Sequence, residues 1–312
     1  MLIIVFVMAI KMALCRTKRM STVLRGAIEN AYKTSVDPDK CVQNIFSADY
    51  NYALVINILL AVWTFAVGLF LTVGAVFENS QFRKNNDILD ENIEMPMQVV
   101  CWYPFNVRKH YVLVLSYQFF VILFSDVYNS ALNSLSNTVM IQIAMDIKVL
   151  QHRFRYFAKG AAEDKARVNL MDCIKNHQKL IEHIKELNHV LKYPLLIEYA
   201  VSSIMLASIL VQTINGNRPI FNGFYFGILA FQWFILSWNS NEIIVQSEYL
   251  SMAIYESDWY NCDKYIKQLL MIVVQRTKRP LILNIGPFGA MNIDASISRL
   301  KLAYSYVSLM SS

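Results

Sequence analysis

Near the C-terminus, Asp294, Ser298, Lys301, Ser305, Ser308 and Ser312 recur at spacings of 4, 3, 4, 3 and 4. Those intervals place one polar stripe along one face of a helix. Ile297, Leu300, Ala303, Tyr304, Val307 and Met310 fall opposite and suit lipid or other helices. A polar stripe among apolar residues is costly in a membrane unless it meets protein or water. The chemistry it offers is conduction, through a pore lined by Ser298, Lys301, Ser305, Ser308 and Ser312 and closed by copies from several subunits. Leu309 sits beside Ser305 and Ser312 at the same spacing, where an apolar ring would gate by dewetting. The alternative is that these serines hydrogen-bond within one subunit.

Asp126 is the other conspicuous group, a carboxylate inside an apolar run, in Ser125-Asp126-Val127-Tyr128-Asn129-Ser130. An intramembrane carboxylate is a functional candidate, and here its neighbours also supply partners for a purely structural network. A cavity for an uncharged small molecule needs aromatic and sulfur-bearing walls with a few polar groups. Helical faces offering them carry Trp63 and Phe70, then Tyr117 and Phe120, then Met205 and Gln212, then Tyr225, mostly toward one end of their helices. Core packing is the competing explanation for each. His177, His183 and His189 are six apart and share no helical face closely, so no metal site is expected. With no G-x-S-x-G, Walker loop or H-E-x-x-H, catalytic residues and cofactors are expected to be none.

The elements that must position these groups follow from charge spacing. Hydrophobic residues make up 55% of the 312 and charged residues 17%, below the quarter or so of a soluble chain. Charge is absent between Asp49 and Glu78, between His110 and Asp126, between Asp126 and Asp146, between Glu198 and Arg218, and between Arg218 and Glu242. Uncharged stretches of about 20 residues are membrane helices. The reading is an all-α, polytopic helical bundle forming one membrane domain over 1–312. Its membrane helices are 50–77, 111–144, 194–213, 221–240 and 280–310. Residues 146–192 and 241–279, apolar at helical spacing among charges, form a cytosolic anchor. Residues 1–15 read as the inner remnant of a helix, since the basic residues follow the apolar run.

The net charge of +6 is partitioned by loop, which argues for a lipid bilayer and against nucleic acid. Residues 16–49, 146–192 and 241–280 hold six, ten and five Lys or Arg, against four in 78–110 and Arg218 in 214–220. Basic loops stay cytoplasmic, so the first three are inside and the last helix runs outward. Cys101 alone then faces out, and no internal disulfide is expected.

Trp102-Tyr103-Pro104-Phe105, Arg279-Pro280-Leu281 and Leu302-Ala303-Tyr304-Ser305-Tyr306 complete the pattern. With Asp126, Ile174, His177-Gln178, Ile254-Tyr255 and Trp259-Tyr260, the chain resembles insect odorant receptors. The resemblance implies a seven-helix fold, of which the first helix and part of the second are missing here. It implies a subunit of a ligand-gated, non-selective cation channel, assembled as a heterotetramer with the odorant receptor co-receptor and serving sensory transduction. The last helix would line the pore, and a small volatile would bind in the outer half of the bundle. It implies the plasma membrane of a sensory dendrite, with the C-terminus extracellular. Asn106 departs from the acidic residue usual there. A G-protein-coupled receptor or a transporter-type protein remains the alternative, although neither an Asp-Arg-Tyr nor an Asn-Pro-x-x-Tyr signature is present.

Overall fold

The computed structural model describes residues 17–85, 103–105, 107, 109–214 and 219–311. Seven α-helices run in chain order: α1 Lys18–Ser35, α2 Lys40–Asn85, α3 Tyr111–Tyr156, α4 Glu163–Ile214, α5 Pro219–Tyr255, α6 Lys264–Thr277 and α7 Ile293–Ser311. A short 3-10 turn, Trp259–Asn261, joins α5 to α6. The starts follow helix-capping chemistry. The Thr17 hydroxyl accepts from the Met20 N–H at α1, and the Asp263 carboxylate accepts from the Ile266 N–H at α6. Glu163 and Asp164 occupy the first turn of α4, where the helix dipole favours negative charge.

The helices are longer than charge-free stretches alone suggest, because an apolar span and its charged extension share one rod. Lys40–Gly74, Tyr111–Tyr156 and Glu163–Ile214 are each long and apolar enough to cross a membrane by length and composition. Residues 146–192 and 194–213 are not separate helices: α3 continues to Tyr156, and α4 passes through Pro194 without ending. Pro194 lacks an N–H to offer the Val190 carbonyl, and in the same turn the Lys192 carbonyl accepts from the Gly286 N–H at 3.0 Å.

Residues 280–310, expected as one helix, are corrected by the structure. Helix starts only at Ile293, and the stretch before it folds as a small hairpin. Asn284 bridges Ala290 in antiparallel fashion, and the Met291 N–H donates to the Leu283 carbonyl at 2.7 Å. The reason is local: Gly286 and Gly289 take positive φ around Pro287, a combination that turns the chain. The Asn284 N–H donates to the Asn188 side chain at 2.8 Å, tying this hairpin to α4.

The main apolar core lies at the end of the bundle that holds the charged extensions. Met140, Ile143, Ile147 and Phe154 of α3 pack with Leu170 and Leu187 of α4, Ile243 and Leu250 of α5, and Ile266 of α6. Leu283 and Met291 of the hairpin join it. Toward the opposite end the described residues form a much smaller cluster, Ile56, Leu60 and Ile235 with Phe231 beside them. Between the two, Tyr52 of α2 donates to Asn239 of α5 at 3.1 Å, and Asn239 donates to Asn137 of α3 at 2.9 Å. Three helices are thus locked by a buried amide relay below the loosely packed half.

Candidate ligand pocket and pore helix

Two facing surfaces of α2 build the candidate pocket. On one, Trp63 and Phe70 are two turns apart and meet rings from α5. Trp63 stacks with Phe224 at 5.9 Å and with Phe231 at 5.6 Å, and Phe70 meets Phe224 at 5.8 Å. On the other, α2 and α3 diverge around a cavity of about 400 Å³. Phe65, Gly68 and Leu69 form its α2 wall, with Phe119, Ile122 and Asp126 on α3. That volume suits a small organic ligand, and the wall is mostly apolar.

Asp126 is the charged group in the cavity wall. Its Oδ2 is buried, with no hydrogen-bond partner among the described residues. A Cβ placed on Gly68 would come within 3.0 Å of that oxygen, so the carboxylate owes its seat to the missing side chain. The Thr64 hydroxyl donates to the Leu60 and Ala61 carbonyls, which leaves the carboxylate as the strongest acceptor in the wall. Tyr225 of α5 is half-buried and feels the charge of Asp126.

The structure brings together Trp63 and Phe70, and Asp126 with Tyr225. It leaves others apart: Tyr117 and Phe120 are 58% and 56% exposed on α3, and Gln212 is exposed on α4, with Met205 half-buried. The α3 wall uses Phe119 and Ile122, adjacent positions on a helix whose uniform apolar character hides which face turns inward. Phe224 and Phe231 were equally hidden, although their seven-residue spacing matches that of Trp63 and Phe70. At the mouth, the Gln118 amide donates to the Tyr103 hydroxyl at 3.1 Å, holding Tyr103-Pro104-Phe105 to α3.

On α7, Ser298, Lys301, Ser305 and Ser308 are exposed. The Ser305 hydroxyl donates to the Lys301 carbonyl at 3.0 Å. The buried face is Ser296, Arg299 and Ala303; of the apolar positions read from the sequence Ala303 is buried, while Ile297, Leu300 and Tyr304 are 44%, 41% and 72% exposed. At 100° per residue the polar stripe points almost directly away from the buried face. The Leu309 side chain, Ser312, residues 1–15, Cys101 and Asn106 lie outside the described residues. Among the described residues no group of three or more His, Cys, Asp or Glu is placed to hold a metal ion.

At the charged end, Lys148 pairs with Asp49 at 3.0 Å, Arg153 with Asp37 at 2.8 Å and Arg155 with Glu256 at 2.6 Å. Asp146 is buried against Asn30 and Gln142, and burial pushes its carboxyl up to about 6. Burial acts oppositely on His177, lowering it to about 4, with the charge of Arg276 adding to the effect.

Long antiparallel-running helices without strands among the described residues, a buried intramembrane carboxylate and a polar-faced last helix define a polytopic helical membrane protein. Its fold is that of insect olfactory receptors: the receptor OR5 from Machilis hrabei, in its structure with eugenol, superposes with a TM-score of 0.74 at 14% identity, over 98% of this chain and 79% of that one. A sequence profile described as 7tm odorant receptor matches residues 1–304, and the chain belongs to this family, which is not an enzyme family. Odorant receptor Or2 of Anopheles gambiae is 27% identical over 45% of this chain and 38% of its own length. Odorant receptor 10 of Aedes albopictus is 27% identical over 53% of this chain and 46% of its own. The chain thus matches less than half the length of these two relatives.

Proposed function

We propose that the chain is an odorant-binding subunit of a ligand-gated, non-selective cation channel, assembled with the odorant receptor co-receptor in a heterotetramer at the plasma membrane. The observation that carries this reading is the orientation of α7: its serines and Lys301 turn away from the core formed by the described residues, toward a face that a shared axis can meet. Polar groups facing lipid are costly, which favours a hydrated axis. Ser298, Lys301, Ser305, Ser308, Leu309 and Ser312 are the pore positions. The small volatile sits by the α2–α3 cavity and the Trp63–Phe224–Phe231 stack, with Asp126 as its polar anchor.

Membership of the family and the fold likeness support the reading, and the loosely packed half of the bundle is where a cavity is least costly to keep. The test is current in cells expressing this chain with and without the co-receptor, challenged with a panel of volatile alcohols, esters and aldehydes. Odour-evoked cation current only with the co-receptor, altered in ion preference or amplitude by Ser305→Ala or Leu309→Ala, is the expected result. Current that needs no co-receptor and ignores both substitutions overturns it.

A further inference from the structure

Arg299 is 1% exposed on α7, and none of its three guanidinium nitrogens has a hydrogen-bond partner among the described residues. A buried cation without hydrogen bonds is among the most expensive arrangements in a protein. What it meets instead are π faces. Its Cζ lies 4.6 Å from the centre of the Trp233 ring of α5 and 6.0 Å from that of Tyr199 of α4, and those two rings meet edge-on at 5.5 Å. The charge of Glu198, also on α4, acts on the same guanidinium. Cation–π contact with a desolvated Trp is the strongest of its kind. The three-helix contact is therefore held by electrostatics that depend steeply on ring position, with no hydrogen bond to hold it through a shift.

The position of Trp233 on α5 gives that contact a further meaning. Phe224 and Phe231 are seven residues apart and share one side of the helix, while Trp233, two residues beyond Phe231, stands about 200° round on the opposite side. One side of α5 meets Trp63 and Phe70 in the candidate pocket, and the other holds the arginine of the candidate pore helix. A rotation or slide of α5 that accommodates a ligand between α5 and α2 must move the Trp233 ring under Arg299. Ser237 of α5, one turn on from Trp233, and Ser296 of α7, one turn before Arg299, are also buried without hydrogen-bond partners among the described residues. The seam between these two helices is therefore only loosely committed to one register.

We propose that Arg299 is a positioning residue: by stacking on Trp233 it holds the pore helix to the opposite side of the helix that carries the aromatic pocket, and so passes a shift of α5 to α7. The proposal rests on the channel reading above. Coupling between sites of this kind is worth about 5- to 150-fold in an equilibrium.

The test uses the full chain with Ser305→Cys, co-expressed with the co-receptor, and follows the rate at which a small charged thiol reagent modifies that cysteine. The same chain without Ser305→Cys corrects for Cys41, Cys101 and the other native thiols. Arg299→Gln is expected to raise the rate about tenfold, since a released helix samples more orientations, and Trp233→Leu to match it. The double variant should add little to either, because the two side chains act as a unit. Arg299→Lys and Trp233→Phe, which keep a cation and a ring, should stay near the parent. Surface labelling confirms that each variant reaches the membrane, and Trp233→Leu serves should Arg299→Gln fail to. The most effective member of a panel of volatile alcohols, esters and aldehydes should change the parent rate but not that of Arg299→Gln. A cysteine that reacts at one rate in the parent, Arg299→Gln and Trp233→Leu overturns the coupling role and leaves the pore reading standing. A cysteine at 305 that never reacts removes the pore reading, and the coupling role with it.

Discussion

At the scale of single residues, two buried titratable groups make opposite demands on the charged end of the bundle. Asp146 has its carboxyl raised from 3.8 to about 6 by burial, so the folded state prefers it protonated. Stability attributable to it is greatest below pH 3.8 and is lost as pH rises through about 6. At about 1.4 kcal/mol per pH unit, that loss amounts to about 3 kcal/mol. His177, lowered from 6.5 to about 4, works the other way: the folded state prefers it neutral, and stability is lost as pH falls from about 6.5 to about 4. The two slopes oppose each other across this window. Burial lowers His183 as well, so the detergent-purified protein should lose thermal stability on acidification there, with Asp146 offsetting part of the loss. In Asp146→Asn the loss on acidification should be steeper than in the parent because that offset is gone; a variant that follows the parent's profile refutes the assignment. Of the residues that matter, the sequence shows those with a period. The serines of α7 stand out by spacing, and Asp126 by isolation in an apolar run. Arg299 does not, because one cation belongs to no pattern, although it is flanked by small Ser296 and Ala303 on the face that proves to be buried.

At the scale of elements, charge-free stretches marked where long apolar helices run but not where those helices end. Hydrogen bonding within the backbone continues as long as no breaker intervenes, and α3 and α4 run from apolar to charged sequence without one strong enough to end them. Pro194 was read as a start and is an interior residue, in a turn that the Gly286 N–H joins through the Lys192 carbonyl. Its counterpart is the hairpin before α7. Gly286 has φ of 54°, and a Cβ there would lie 2.7 Å from Leu196 Cδ2, so Gly286→Ala combines a left-handed backbone with a clash. A cost of about 1–3 kcal/mol is expected, read as a lowered unfolding temperature. Gly289→Ala, with φ of 108° but open space around it, should cost less. A similar loss comes from the amide relay. Asn239→Ala strips buried Asn137 and the Tyr52 hydroxyl of a partner, at about 1–3 kcal/mol, and the same melting experiment checks it. Equal melting of Asn239→Ala and parent would mean that the relay is not closed in the protein.

For the whole molecule, the orientation in the membrane follows from where the basic residues end up once the chain has folded. The sequence distributes them among three loops. The fold collects those loops at one end, where Asp37 and Asp39, between α1 and α2, meet Arg153 and His152 near the end of α3. Glu256, just past α5, meets Arg155 at the same end. Loops rich in Lys and Arg are retained on the cytoplasmic side, and α7 leaves from this end, since its preceding hairpin packs into the same core. On that rule the far end of α7 is expected outside. An epitope tag placed after Ser312 should label on intact cells without permeabilisation, while a tag at Gly160, a positive-φ residue in the exposed α3–α4 turn with open space around it, should label only after it. Because both tags are read on the same cells, a reversed pair would overturn the loop-charge assignment itself. Labelling of both on intact cells would instead put the two ends of the bundle on one side, contradicting the antiparallel course of α3 to α5.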